Sequence, residues 1–285
     1  MSCMAVVQVA IGAVVGLVAR RVLKFSPEDG RDVTLCSTFA NSGPLPFIFV
    51  DALFGGTHVY PKVSAAISFY LLTWSPLFWS VGRMILGTYG SGSDPNASLW
   101  MKFRQQMRQF FSPPVIGSVA GLIIGAVPFF RDFCMKGIGK PFYSANQSLA
   151  PAYLPAALLV LAGSLVAKND GVPEITPPSM KKILSIFSIR FAIAPVLTFG
   201  LWKALASLGI LGPAGSSARA IVTFVILMEG CMPPAQNSVT MLQLDGLAER
   251  ASGMAQLLTI LYSLAVVPIT ILMSGCLEAS GILQL

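Results

Sequence analysis

Residues 36–47 read Cys-Ser-Thr-Phe-Ala-Asn-Ser-Gly-Pro-Leu-Pro-Phe, and residues 228–238 read Met-Glu-Gly-Cys-Met-Pro-Pro-Ala-Gln-Asn-Ser. Each stretch places two prolines near the middle of a longer apolar segment. Proline has no backbone N–H and clashes with the preceding turn, so each helix must break there. In hydrocarbon, the freed N–H and C=O groups are tolerated only where they are buried in protein or line a cavity. The sequence therefore predicts two broken helices whose interruptions lie inside the protein.

The chain around these stretches is too apolar for a water-soluble domain. It has 285 residues, of which 54% are hydrophobic and only 11% are charged. A soluble domain carries about 25% charged residues, more than twice this share. The composition argues against a water-soluble enzyme, a disordered chain and a nucleic-acid-binding protein. It predicts an all-α integral membrane protein whose surroundings are the lipid bilayer.

Eight segments are long and apolar enough to cross a membrane, since a bilayer core requires roughly 20 apolar residues per helix. The segments are 4–20, 33–53, 63–87, 113–130, 149–167, 184–209, 219–244 and 252–275. The sequence thus predicts eight transmembrane helices, and the second and seventh of them contain the proline breaks.

The distribution of positive charge sets the orientation of these helices. Alternation places 12 of the Lys and Arg residues on one side of the membrane and 5 on the other. Because cytoplasmic loops carry the excess of Lys and Arg, the side with more positive charge is predicted to be cytoplasmic. Residues 89–112 contain Gly-Ser-Gly-Ser-Asp-Pro-Asn and are predicted to form a cytoplasmic linker between residues 1–88 and 113–285.

The residues at the two breaks form a candidate binding site. A half-helix that begins after a break directs unpaired N–H groups and a positive dipole end into the cavity, which suits an anion. Asparagine can donate or accept hydrogen bonds without carrying charge. The candidate residues are Asn41, Ser42, Pro44, Pro46, Pro233, Pro234 and Asn237. Two breaks at corresponding places favour a secondary transporter, and a pair of proline kinks with packed polar residues is the alternative.

Four charged residues lie within or near the predicted spans: Asp51, Arg190, Lys203 and Glu229. Lys203 lies near a segment end, where its side chain can reach the membrane surface, so the other three need an explanation. Arg190 could form a structural ion pair with Glu229 or Asp51, or these groups could handle substrate or protons. The five cysteines have no metal-ligand spacing, His58 is the only histidine, and the chain contains no nucleotide-binding motif. No cofactor and no enzymatic activity are therefore expected.

The motifs at the breaks resemble those of the auxin efflux carrier family, most closely its PIN-LIKES branch. The resemblance lies in residues 40–46, in residues 232–240, in Pro-Pro-Val-Ile-Gly at residues 113–117, and in Ile-Arg at residues 189–190. It implies ten helices in two inverted repeats of five, with the substrate bound where the broken helices cross. Pro44 and Ala40 depart from the residues that the family has at the first crossing.

The resemblance also implies what the protein transports and where. Members move auxin or other small organic anions, and the PIN-LIKES act at the endoplasmic reticulum membrane, with the plasma membrane as the alternative. Residues 1–88 correspond to the last three helices of the first repeat, and residues 113–285 correspond to a complete second repeat. The family's first two helices are absent from this match. A truncated, non-transporting relative that acts as a membrane interaction or regulatory protein is thus a second hypothesis, and a homodimer or an assembly with a full-length carrier is a further expectation.

Overall fold

The computed structural model describes residues 1–87, 113–152 and 177–284, together with residues 155, 156 and 159. Apart from one isolated antiparallel bridge, the regular structure of these residues is helical. The α-helices are α1 (Ser2–Val22), α2 (Pro27–Thr38), α3 (Pro44–Phe54), α4 (Tyr60–Leu77), α5 (Arg83–Leu86), α6 (Pro113–Ala126), α7 (Pro128–Met135), α8 (Lys140–Leu149), α9 (Met180–Ser188), α10 (Ala194–Ser207), α11 (Ser217–Gly230), α12 (Asn237–Leu244) and α13 (Ala248–Ser280). Turns of π-helix join α4 to α5 and α9 to α10.

Three helical stretches in the described part of the chain are long and apolar enough to cross a membrane: Ser2–Val22, Met180–Ser207 and Ala248–Ser280. They confirm an all-helical protein with membrane-spanning character. The count of eight helices stays a prediction. A length criterion does not count the broken helices, and most of the predicted segment 149–167 lies outside the described residues.

Both proline-rich stretches lie between two helical pieces. The first helix stops at Thr38 and resumes as α3 at Pro44, where a residue without an N–H costs no helical hydrogen bond. The second stops at Gly230 and resumes as α12 at Asn237. Each broken helix therefore consists of two short half-helices with an extended connection between them.

A proline also divides the segment that was predicted to be a continuous helix over residues 113–130. Helix α6 ends at Ala126, and Val127 has an extended backbone. Pro128 then begins α7, because its ring excludes the helical conformation for the residue before it. The predicted helix is therefore shorter than expected, and the side chains of α7 are not buried in the described structure.

Helix α1 packs against the first broken helix through two glycines one turn apart. A Cβ atom on Gly12 would lie 2.5 Å from the carbonyl oxygen of Ser37, and one on Gly16 would lie 3.0 Å from the Cα atom of Thr34. Small residues spaced by four positions allow membrane helices to approach this closely. The glycine pair thus holds α1 directly against the half-helix that leads into the first break.

Candidate binding site where two broken helices cross

The two extended connections cross and bond to each other through their backbones. The N–H of Asn41 donates to the carbonyl of Pro233 at 2.7 Å, and the N–H of Ala235 donates to the carbonyl of Phe39 at 3.0 Å. Together they form the antiparallel bridge of the fold. Each break thus supplies hydrogen-bond partners for the other, which is how interrupted backbone can persist at membrane depth.

Arg190 lies beside this crossing and bonds to the ends of both broken helices. Its Nε and Nη2 atoms donate to the carbonyl of Met232 at 3.1 and 2.8 Å, and Nη1 donates to the carbonyl of Ser37 at 3.1 Å. The side chain is buried, and it projects from the π-helical turn between α9 and α10. A positive charge is favourable at the carboxyl ends of helices, where carbonyls lack partners.

This arrangement differs from the ion pair that was one of the two alternatives for Arg190. Among the described residues, its guanidinium has neither Glu229 nor Asp51 within ion-pair distance. Asp51 is exposed on α3, away from the buried crossing. The reason is geometric, since the carbonyls at the two helix ends converge on the planar donors of one guanidinium.

Glu229 lies in the last turn of α11 and is only 1% exposed. Neither oxygen of its carboxylate forms a hydrogen bond within the described structure. Ser42, from the first break, lies beside the carboxylate, but its hydroxyl also lacks hydrogen-bonding geometry to any described partner. A buried acidic group of this kind is costly, because its charge is neither solvated nor satisfied.

Glu229 and Arg190 line the same small cavity, which has a volume of about 30 Å³. Helices α1 and α4 complete its wall with Gln8 and Tyr70. The Tyr70 hydroxyl donates to Oε1 of Gln8 at 2.7 Å, and Nε2 of Gln8 donates to the carbonyl of Ile226 at 2.9 Å. The cavity therefore combines one buried cation, one buried carboxyl group and an ordered network of uncharged polar groups.

Asn41 belongs to a second polar network at the crossing. Its Nδ2 atom donates to the hydroxyl of Tyr262 at 2.6 Å and to Oε1 of Gln236 at 3.4 Å. The Tyr262 hydroxyl in turn donates to the carbonyl of Pro234 at 2.8 Å. Asn41 is almost completely buried and takes part in holding the crossing together.

The structure brings most of the predicted site residues together, but not all of them. Asn41, Ser42, Pro233 and Pro234 lie at the crossing. The other two prolines are buried in the first turn of α3, and Asn237 is half-buried at the start of α12. Of the predicted residues, only Arg190 and Glu229 line the cavity, and Asp51 lies apart.

The predicted site residues did not include four side chains of these networks: Gln8, Tyr70, Gln236 and Tyr262. Gln236 directly precedes the predicted Asn237 at the second break. Gln8 had a signal that could have been used, since it is the one uncharged polar side chain with hydrogen-bonding groups in the apolar run 4–20. Tyr70 and Tyr262 had none, because a tyrosine in an apolar helix is also common in protein cores and at membrane interfaces.

Comparison with known proteins identifies relatives along nearly the whole chain. Residues 1–273 match a family described as membrane transport protein. The protein PIN-LIKES 5 of Arabidopsis thaliana is 25% identical, and the match covers 92% of this chain and 76% of that protein. PIN-LIKES 7 of the same plant is 24% identical over 84% of this chain and 71% of its own length. No solved structure matches the chain significantly.

Proposed function

The chain belongs to the membrane transport protein family, and on that premise we propose that it is a secondary transporter of small organic anions. The resemblance to the auxin efflux carriers and their PIN-LIKES branch, first seen in the crossing motifs, is confirmed by the family match and the relatives. Within this proposal the substrate is an auxin-like carboxylate, and the protein acts in the endoplasmic reticulum membrane.

The observation that carries the proposal is the backbone bridge between the two broken helices. The bridge lies a few residues before the starts of α3 and α12, and Arg190 bonds to the carbonyls of Ser37 and Met232 next to it. The start of a helix carries the positive end of its dipole, and its first N–H groups have no partner within the helix, although Pro44 and Pro46 supply none at α3. The crossing therefore favours a carboxylate. The proposed site consists of Asn41, Ser42, Pro44, Pro46, Pro233, Pro234 and Asn237.

The proposed architecture extends the described helices to eight spans in two related halves. Residues 1–88 form an incomplete first repeat, residues 89–112 form a cytoplasmic linker, and residues 113–285 form a five-helix second repeat. The support is that each half contributes one broken helix to the crossing. Discontinuous helices that meet at the interface of two repeats are typical of secondary transporters.

Transport and site are tested together by uptake into proteoliposomes. Purified protein is reconstituted, and uptake of labelled indole-3-acetate is compared with that of labelled succinate. Transport of an organic anion supports the proposal. Specific binding without uptake supports the alternative, a non-transporting relative with an interaction or regulatory role. If the protein neither binds nor takes up either anion, the proposal is overturned.

The site itself is tested with Asn41→Ala and Asn237→Ala. One lost hydrogen bond to a charged group is worth about 1.5–3 kcal/mol, so Asn237→Ala should weaken anion binding roughly ten- to 150-fold. Asn41→Ala should weaken it at least as much, because it also removes the bonds to Tyr262 and Gln236 that hold the crossing together. The matched control is Asn146→Ala, since Asn146 is exposed on α8. Binding is measured by titration calorimetry on the full chain in nanodiscs. Unchanged affinity in both Asn41→Ala and Asn237→Ala would remove the crossing from the binding site.

A further inference from the structure

We infer that Glu229 takes up one proton when an organic anion binds beside Arg190, so that the site couples anion transport to proton transport. The inference rests on the proposed function and adds the coupling ion to it. It begins from the position of Glu229, whose buried carboxylate has the Ser42 hydroxyl beside it but forms no hydrogen bond of good geometry with any described residue. An acidic group held this way is most stable when neutral, and it ionises only if a nearby positive charge compensates it.

Among the residues that the structure describes, the cavity beside Glu229 is lined by one such charge. Arg190 lines the same cavity and is held in place by its bonds to the carbonyls of Ser37 and Met232. The other polar side chains along the cavity keep their charge state near neutral pH: Gln8 on α1, Thr38 on α2, Tyr70 on α4 and Thr198 on α10. Cys231, which directly follows α11, has its thiol 3.7 Å from the thiol of Cys276.

The coupling follows from the charges in this small volume. With Glu229 ionised and the site empty, its negative charge offsets that of Arg190. An anion that binds beside Arg190 would then add a second negative charge to a region of low dielectric, where like charges repel strongly. If Glu229 takes a proton from water, the anion and Arg190 balance each other. Anion and proton therefore favour each other's binding, and this linkage is reciprocal.

A proton fits this position better than a metal cation. The carbonyl oxygens of Ser37 and Met232, at the ends of the two broken helices, already accept hydrogen bonds from Arg190. The guanidinium would also repel a second positive ion in the same cavity. Within the described residues, no cluster of three or more His, Cys, Asp or Glu side chains could hold a metal ion.

The test measures binding of indole-3-acetate to the full chain in nanodiscs from about pH 5.5 to about pH 7.5. We expect affinity to rise by up to about tenfold for each unit by which the pH falls, with one proton taken up per anion. Glu229→Gln should remove both the slope and the proton uptake, whereas Glu229→Asp, which keeps a carboxyl group, should retain them. The control is Asp51→Asn, because Asp51 is an exposed carboxylate on α3. The coupling would be overturned if the affinity of the parent protein did not change with pH, or if the affinity of Glu229→Gln changed with pH as much as that of the parent.

A second measurement separates failure of the coupling from failure of the proposed function. Infrared difference spectra of the anion-free protein should contain a carboxylic acid C=O band that titrates with pH and is missing from Glu229→Gln. Absence of that band in the parent overturns the proton site, whatever the anion does. Failure to bind either indole-3-acetate or succinate at any pH would instead overturn the proposed function and the coupling with it. If anion binding depends on the sodium concentration but not on pH, the coupling ion is a metal cation and the proton coupling is overturned.

Discussion

At Arg190, one side chain replaces hydrogen bonds that two interrupted helices cannot make for themselves. Its three bonds go to backbone carbonyls on both broken helices, Ser37 on one and Met232 on the other. Removal of the guanidinium would leave both carbonyls buried without partners, and each such group costs about 1–3 kcal/mol. The role of Arg190 in the structure is thus to hold the crossing, and its charge is at the same time available to the cavity.

Arg190→Met should therefore lower the free energy of unfolding by about 3 kcal/mol or more. Arg190→Lys should recover only part of the loss, because a single ammonium cannot reproduce the forked geometry of a guanidinium. Denaturant unfolding in detergent micelles is the measurement, and Lys203→Met is the control, since Lys203 is exposed on α10. An Arg190→Met variant as stable as the parent would contradict this role of the guanidinium.

The same residue indicates how far sequence reasoning reaches at this site. Proline chemistry is local, so the two breaks could be located from the sequence alone, and the charge of Arg190 marked it as a buried group that needs partners. Its partners could not be inferred, because they are backbone carbonyls from elements far away in the chain. The Tyr262 hydroxyl was missed for a similar reason, since its bond to Asn41 joins positions 221 residues apart.

At the scale of elements, the contact between α1 and α2 positions the first break. A Cβ atom on Gly12 would lie 2.5 Å from the Ser37 carbonyl, the same carbonyl that accepts a bond from Arg190. Even one methyl group at Gly12 therefore pushes on the end of α2. The helix pair and the crossing are mechanically connected through this one residue, Ser37.

Gly12→Ala should consequently destabilise the protein by about 1–3 kcal/mol, the usual cost of overpacking. The matched control is Gly253→Ala in α13, because a Cβ atom there meets no other atom within 4 Å. That change should leave stability unchanged or raise it by up to about 1 kcal/mol, since alanine is the better helix former. Thermal unfolding of both variants checks the pair, and equal melting temperatures would contradict the close contact.

At the scale of the whole molecule, Lys182 and Arg250, which the alternation of the predicted spans places on the cytoplasmic side, meet acidic residues of α2 at one end of the structure. Lys182 pairs with Asp29 at 2.9 Å and with Asp32 at 2.6 Å, and Arg250 lies 3.7 Å from Asp32. Burial raises the pKa of Asp29, but its hydrogen bond to Lys182 and the charge of that residue outweigh burial and hold the pKa below its ordinary value. The pair with Lys182 therefore remains ionised at neutral pH. Three separate parts of the chain, α2, α9 and α13, are joined by these pairs at one surface.

The broken helix formed by α2 and α3 leads away from this surface. The carboxyl-terminal ends of α1 and α3 should therefore lie on opposite sides of the membrane. Single cysteines at Arg21 and His58, both exposed, report on the two ends. The accessible native cysteines, Cys3 and Cys134, are first replaced by serine. In sealed microsomes, an impermeant maleimide should label Arg21→Cys directly, whereas His58→Cys should react only after the membrane is permeabilised. The opposite pattern would reverse the orientation inferred from the positive charges, and labelling of both sites from outside would mean that α2 and α3 do not cross the bilayer together.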